Sequence, residues 1–154
     1  MSRAKVQREI LCVAGPNGTR AHALLIANER WLPIETIPYF HYYIEWMRHA
    51  ELRVGMVCML ESNAGPGPLL RLFRKAWDRF EFYGLDYVFA ALDPGNAHLY
   101  QRMQFEQVGR IQQWPWADSA EVRVLRLNVA EARATATGAL RRRFLERGGD
   151  GDGT

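Results

Sequence analysis

Apolar residues recur along the chain with two different periods, and the changes of period mark its elements. Residues 5–14 and 20–27 are rich in strand formers and flank Gly15-Pro16-Asn17-Gly18, a run of turn residues, so they predict an antiparallel hairpin. After Trp31-Leu32-Pro33, residues 37–50 carry Tyr39, Phe40, Tyr43, Ile44 and Met47 at helical spacing, and Pro38 suits a first turn. Residues 52–60 are almost continuously apolar, as in a central strand, and Gly55 marks a bulge or a close backbone approach. Residues 62–68 break the run. From Leu69 onward Leu72, Phe73, Ala76, Phe80 and Tyr83 fall on one side of a helix, with Arg71, Arg74, Lys75, Asp78 and Arg79 on the other; Gly84 stops it.

Residues 87–92 read as a short buried strand, 93–96 as a turn and 97–103 as a short helix. The two apolar strands joined through the long helix make a strand-helix-strand unit and should be parallel. Residues 105–113 and 121–129 predict a last hairpin around Trp114-Pro115-Trp116. The expected organisation is one α/β domain over residues 1–129, a basic C-terminal helix over 130–147 and a disordered tail over 148–154.

A length of 154 residues suits one domain with a real core, and 48% hydrophobic with 24% charged residues is the ordinary globular balance. The net charge of +3 is spread along the chain, so it favours an anionic ligand or acidic partner only weakly and argues against a nucleic-acid stripe. Arg141-Arg142-Arg143 has neither an aromatic platform nor a recognisable reading motif. Cys12 and Cys58 sit in apolar stretches without ligand spacing, which predicts buried thiols and a reducing, cytoplasmic setting. The chain shows no signal-peptide pattern and no apolar run near the ~20 residues of a membrane span, so a soluble protein is expected.

Two places invite chemistry. Ser62-Asn63-Ala64-Gly65-Pro66-Gly67-Pro68-Leu69 lies between a strand and an amphipathic helix, where unpaired first-turn amides and the helix dipole favour an anion. Pro66 and Pro68 lack an amide hydrogen, which leaves Gly65, Gly67, Leu69 and Leu70 as donors. The same string also makes a rigid loop. Tyr100, in the short helix after a strand, could give a proton to a developing anion or simply pack in the core. Glu61 ends the central strand, where ligands gather in open sheets, but a solvated carboxylate explains it as well. His22, His41 and His49 are too dispersed to form a metal set.

The stretch from Ala90 through Asp93-Pro94, His98, Tyr100 and Met103-Gln104-Phe105 resembles the closing segment of the GNAT-type acyltransferase fold, whose usual Leu-Gly-Phe is Met-Gln-Phe here. With Leu32-Pro33-Ile34-Glu35 and Val54-Gly55, the order from Leu24 to Val108 is similar to the N-acyl amino acid synthases, which are related in fold to the acyl-homoserine-lactone synthases. The resemblance implies a mostly antiparallel sheet with a central parallel pair and flanking helices. It implies transfer of an acyl group from an acyl carrier protein or coenzyme A to an amine, with no metal. Ser62, Gly65, Gly67, Leu69, Leu70 and Asn96 would hold the phosphopantetheine, and backbone near Val57–Met59 would polarise the thioester carbonyl. Tyr100 would protonate the departing thiolate, and Glu35, Glu61 or His98 would act as base.

Three departures accompany this likeness. Ser62 replaces the family's Gln or Arg, Arg53 replaces an acidic residue, and the order begins at the second strand of the fold, without the first strand and the two helices that wall the acceptor side. Either a partner subunit or the helix at 37–50 must cover that side. Arg71, Arg74, Lys75 and Arg79 would offer a basic face to an acidic carrier, residues 39–46 could line an acyl path, and an open sheet edge suggests a homodimer. The competing reading is a non-catalytic GNAT-like binding or assembly module.

Overall fold

Asn17 and Gly18 take positive φ of 56° and 76° at the first turn, and the chain reverses there to pair β1 (Gln7–Ala14) antiparallel with β2 (Arg20–Ala27). The computed structural model describes residues 7–27, 30–61, 66–115, 117 and 120–135. A 3-10 turn at Pro33–Thr36 leads into α1 (Pro38–His49), with Pro38 in its first turn. Next come β3 (Val54–Glu61), α2 (Pro66–Phe82) and β4 (Tyr87–Leu92). Gly84 at φ 65° ends α2: the Leu85 amide donates to the Phe80 carbonyl at 3.0 Å and the Gly84 amide to that of Glu81 at 3.1 Å.

Asp93 caps α3 (Pro94–Gln101) by accepting from the Asn96 amide at 2.8 Å. The residues expected to form a turn before this helix are therefore its first turn, with Pro94 in the position that tolerates proline. β5 (Glu106–Gln112), β6 (Glu121–Asn128) and α4 (Val129–Thr135) complete the order. Residues 136–154, which include most of the expected basic helix and all of the expected tail, lie outside the described residues.

The strands form one six-stranded sheet in the order β1-β2-β3-β4-β6-β5, antiparallel except for the β3–β4 pair. Alternation sends side chains to two cores. On one face Val57, Val88, Ala90, Leu125 and Leu127 pack with α2, α3 and α4 around Trp77 and Phe80, both fully buried. On the other, Val54, Met56 and Phe89 pack beneath Phe40, Ile44 and Met47 of α1. Of the two covers left open for this second face, the chain uses its own helix. Gly109 makes that possible on β5, because a Cβ there would stand 2.7 Å from the Phe40 ring.

Gly55 is a close approach and not a bulge. A Cβ at that position would lie 2.8 Å from the Ile26 carbonyl oxygen and 2.8 Å from Leu85 Cδ1. The bulge falls five residues later. Ala23 faces Met59 while His22 faces Glu61, so Leu60 is the extra residue on β3.

The β1 edge is shielded. The Gly15 amide bonds the Thr19 carbonyl across the hairpin at 2.7 Å, so by alternation the backbone groups of Cys12 and Ala14 point away from β2. Arg71 donates to the Ala14 carbonyl and Lys75 to that of Cys12, the latter at 2.9 Å. Cationic side chains laid over an edge are a known defence against strand addition. Two members of the expected basic face are thus spent on β1, and Arg79 pairs with Glu9 at 2.9 Å.

Candidate active site

β3 and β4 pair from Val54↔Tyr87 to Val57↔Ala90 and no further, although β3 runs on to Glu61 and β4 to Leu92. Two strands that stay in one sheet while giving up their mutual hydrogen bonds leave backbone groups facing a gap. That gap opens at the carboxyl ends of the parallel pair, between α2 and α3. The bulge at Leu60 lies on its β3 wall and re-aims the backbone there. The irregular backbone is therefore centred slightly beyond the expected 57–59 segment.

Tyr100 is buried beside this gap, its ring 6.1 Å from Phe73 of α2 and 5.1 Å from Phe105. Burial pushes the phenol well above its ordinary pKa, and the nearby Cys58 thiol adds to the effect. Cys58 is the first β3 residue past the last β3–β4 pair. Its own thiol is pushed up to about 11 by burial. A sulfur anion is thus costly at this place. Cys12 and Cys58 are both half-buried free thiols.

The phosphate cradle is only partly within the described residues: Ser62 and Gly65 lie outside them. The helix begins at Pro66, three residues before the apolar spacing suggests. Leu70 is then the fifth helical residue, and the i to i−4 ladder takes its amide to the Pro66 carbonyl. That withdraws Leu70 from the expected donors; Leu69 is the fourth helical residue, the place from which His41 of α1 and Ala97 of α3 each donate to the residue before their helix, so Gly67 is the first-turn amide that remains. A Cβ on Gly67 would meet nothing within 4 Å, so there is open space above this turn. The Asn96 amide is already used by Asp93, and its side-chain amide is 3.4 Å from the same carboxylate.

The expected bases are in very different places. Glu35 is buried, its side chain fully enclosed. It accepts from both Arg48 terminal nitrogens at 2.6 and 2.9 Å, from the Leu32 amide at 2.7 Å, and lies 3.1 Å from His41 Nδ1. A carboxylate so fully engaged fastens α1 to the turn before it. Glu45, also 2.8 Å from Arg48, stands close enough to Glu35 and His41 to suggest a cation site. Arg48 supplies the positive charge there. Burial works against that charge, but the bonds and charge of Glu35 and Glu45 more than offset it and hold the guanidinium above its ordinary pKa. His98 is exposed on α3. Glu61 closes β3 opposite His22. Arg53 stands at the other end of β3, where its amide donates to Asp86 at 2.8 Å, so its charge is remote from the gap.

Sequence reasoning passed over Cys58 and His22 as sites. The alternation of His22, Leu24 and Ile26 against Ala21, Ala23 and Leu25 was the available signal, but it gains meaning only once the bulge is located.

A parted parallel pair, a bulge on its wall and a helix starting just beyond it can be compared with known structures. FeeM, an N-acyl amino acid synthase from uncultured soil microbes, superposes with a TM-score of 0.65 at 18% identity, covering 79% of this chain and 67% of that one. The chain has a GNAT-like acyltransferase fold. A mutant of the spermidine N-acetyltransferase SpeG from Vibrio cholerae gives a TM-score of 0.51 at 14% identity, over 81% of this chain and 68% of that one. A polyamine N-acetyltransferase of Drosophila melanogaster gives 0.51 at 15%, over 76% and 74%. Neither a family model nor a curated protein matches the sequence. At these identities the likeness establishes the fold, including the mixed sheet with one parallel pair. Among the described residues no helix is long and apolar enough to cross a membrane.

Proposed function

We propose that the protein moves an acyl group from a pantetheine thioester, carried by coenzyme A or an acyl carrier protein, to an amine. The observation that carries this reading is the parting of β3 and β4 beyond Val57↔Ala90 with Tyr100 buried beside it. The pantetheine arm would lie in the gap and complete the broken ladder by hydrogen-bonding its amides to the exposed strand backbone. The Gly67 amide, with the dipole of α2, would meet the phosphate. The amine nitrogen attacks the thioester carbonyl carbon, the C–N bond forms and the C–S bond breaks.

Tyr100 keeps its proton at every working pH, because burial holds its pKa far above neutrality. It acts as a hydrogen-bond donor to the departing sulfur and relays to it a proton that the amine gives up. The burial that pushes the Cys58 thiol up to about 11 would act on a departing sulfur in the same place and favour its protonation. A carrier domain would find Arg74 on α2, with the other cations of that face committed to β1. Arg74 also has a partner of its own. Arg71 and Lys75 bond neutral carbonyls and keep their charge, so this face suits an acidic carrier as well as coenzyme A. For a homodimer the shielded β1 edge is a poor surface, and the exposed Tyr39, Tyr42 and Trp46 of α1 are the better one.

The module reading draws on Pro66 and Pro68, which remove two amides from the cradle. The two readings part in one assay. Purified protein is incubated with acetyl- and long-chain acyl-coenzyme A, or acylated carrier, and a panel of amines, and thiol release and amide formation are followed. Equal release of thiol and amide supports transfer; donor binding without amide for any amine supports the module.

A further inference from the structure

We infer that His22 takes the proton of the incoming amine; the inference rests on the transfer reading above. β2 sends Ala21, Ala23 and Leu25 to the α2-side core and Leu24 and Ile26 to the α1-side core, so His22 belongs to the α1 face, where it is half-buried. Leu24 pairs with Cys58, and His22 is the next same-face position toward the open end of the gap. The bulge at Leu60 matters here. Without it His22 would face Leu60; with it the register partner is Glu61, the last residue of β3.

The two sides of the gap are then chemically distinct. Tyr100 belongs to the core under α2 and α3, and His22 to the opposite face, about one strand spacing of ~4.8 Å from β3. A thioester lying between β3 and β4 would turn its sulfur to Tyr100 and offer its carbonyl carbon to a nucleophile arriving from the α1 face. An aliphatic amine is an ammonium near neutrality and cannot attack until it loses a proton. An imidazole exchanges protons in that range. The balance is complete: His22 takes the first proton from the ammonium and gives it to solvent, and the second leaves the nitrogen after C–N bond formation and ends on the sulfur. Glu35 cannot take this part while Arg48 and the Leu32 amide hold its oxygens.

The register sets Cys12 of β1 opposite His22, with Arg20 two residues back on the same strand, its guanidinium 3.8 Å from the Cys12 sulfur, and the Cys58 and Glu61 positions on β3; His22 also has an interaction partner of its own.

The test is the pH profile of kcat/KM for wild type, His22→Gln and His22→Ala, with donor affinity and thermal unfolding measured on each. The expected wild-type profile has an acid limb that is absent from His22→Gln. His22→Gln should lower the rate at pH 7 about 100-fold with unchanged donor affinity, and the deficit should shrink as pH approaches the amine's own pKa. Added imidazole should restore part of the His22→Ala rate. A folded His22→Gln protein with the wild-type rate and acid limb overturns the assignment. Absence of amide formation by the wild type, with donor binding intact, instead removes the transfer reading and this inference with it.

Discussion

Glu35→Ala should lower stability by about 3 kcal/mol, because it strands the partly buried Arg48 guanidinium and an enclosed Leu32 amide together. For a chain of this length that is roughly a 10 °C fall in Tm. Breaking a buried pair by removing one partner is more damaging than removing both, so Glu35→Met combined with Arg48→Leu should recover much of the loss. Arg48 is held above its ordinary pKa, so its share of the stability is present throughout the neutral range and is lost only as pH rises far beyond it. Thermal unfolding of the wild type and these two variants, with donor affinity measured alongside, decides the role of Glu35. A stable Glu35→Ala protein that binds donor but no longer transfers would return Glu35 to the list of bases.

Tyr100→Phe should lower kcat about 100-fold while leaving donor affinity nearly unchanged, since only the hydroxyl that meets the departing sulfur is removed. The ring remains in place against Phe73 and Phe105. The sign of the pKa effect gives a second readout. The folded phenol sits above its ordinary value of about 10, so the unfolded chain ionises first and wild-type stability falls as pH rises through that value. Tyr100→Phe should lack this alkaline fall. In activity, Tyr100 should produce no basic limb below about pH 9. An unaltered kcat for a folded Tyr100→Phe would mean that the sulfur finds its proton elsewhere.

Much of the sheet could be read from the chain because its strands carry their own punctuation. Gly15-Pro16-Asn17-Gly18 fixes one hairpin, and the three-four spacing of Leu72, Phe73, Ala76 and Phe80 fixes the crossover helix, which in turn makes β3 and β4 parallel. Positions where two structures share one chemistry were harder. Asp93-Pro94 and Gly65-Pro66 suit a turn, yet they equally suit a cap with proline in the first helical turn, and the structure uses the second option at Pro94 and Pro66. The bulge is silent in the sequence, since β3 is apolar on both faces and an inserted residue disturbs no alternation. Glu35 and Arg48 look like surface charges until α1 folds back over the turn and closes 13 residues of sequence into one ion pair. That Tyr100 lies in a short helix after a strand was legible, while the Phe73 and Phe105 rings that enclose it were not.

The gap between β3 and β4 is the claim on which the chemistry depends, and a backbone NMR titration tests it most directly. Coenzyme A and, separately, a phosphopantetheine-loaded carrier are added to the folded protein. Saturable amide shifts at residues 57–61 and 90–92 and at Gly67 are the predicted result, with the α1 face outside His22 and Leu24 little changed. Neither titrant shifting those amides at millimolar concentration, or saturable shifts confined to β5 and β6, would contradict it.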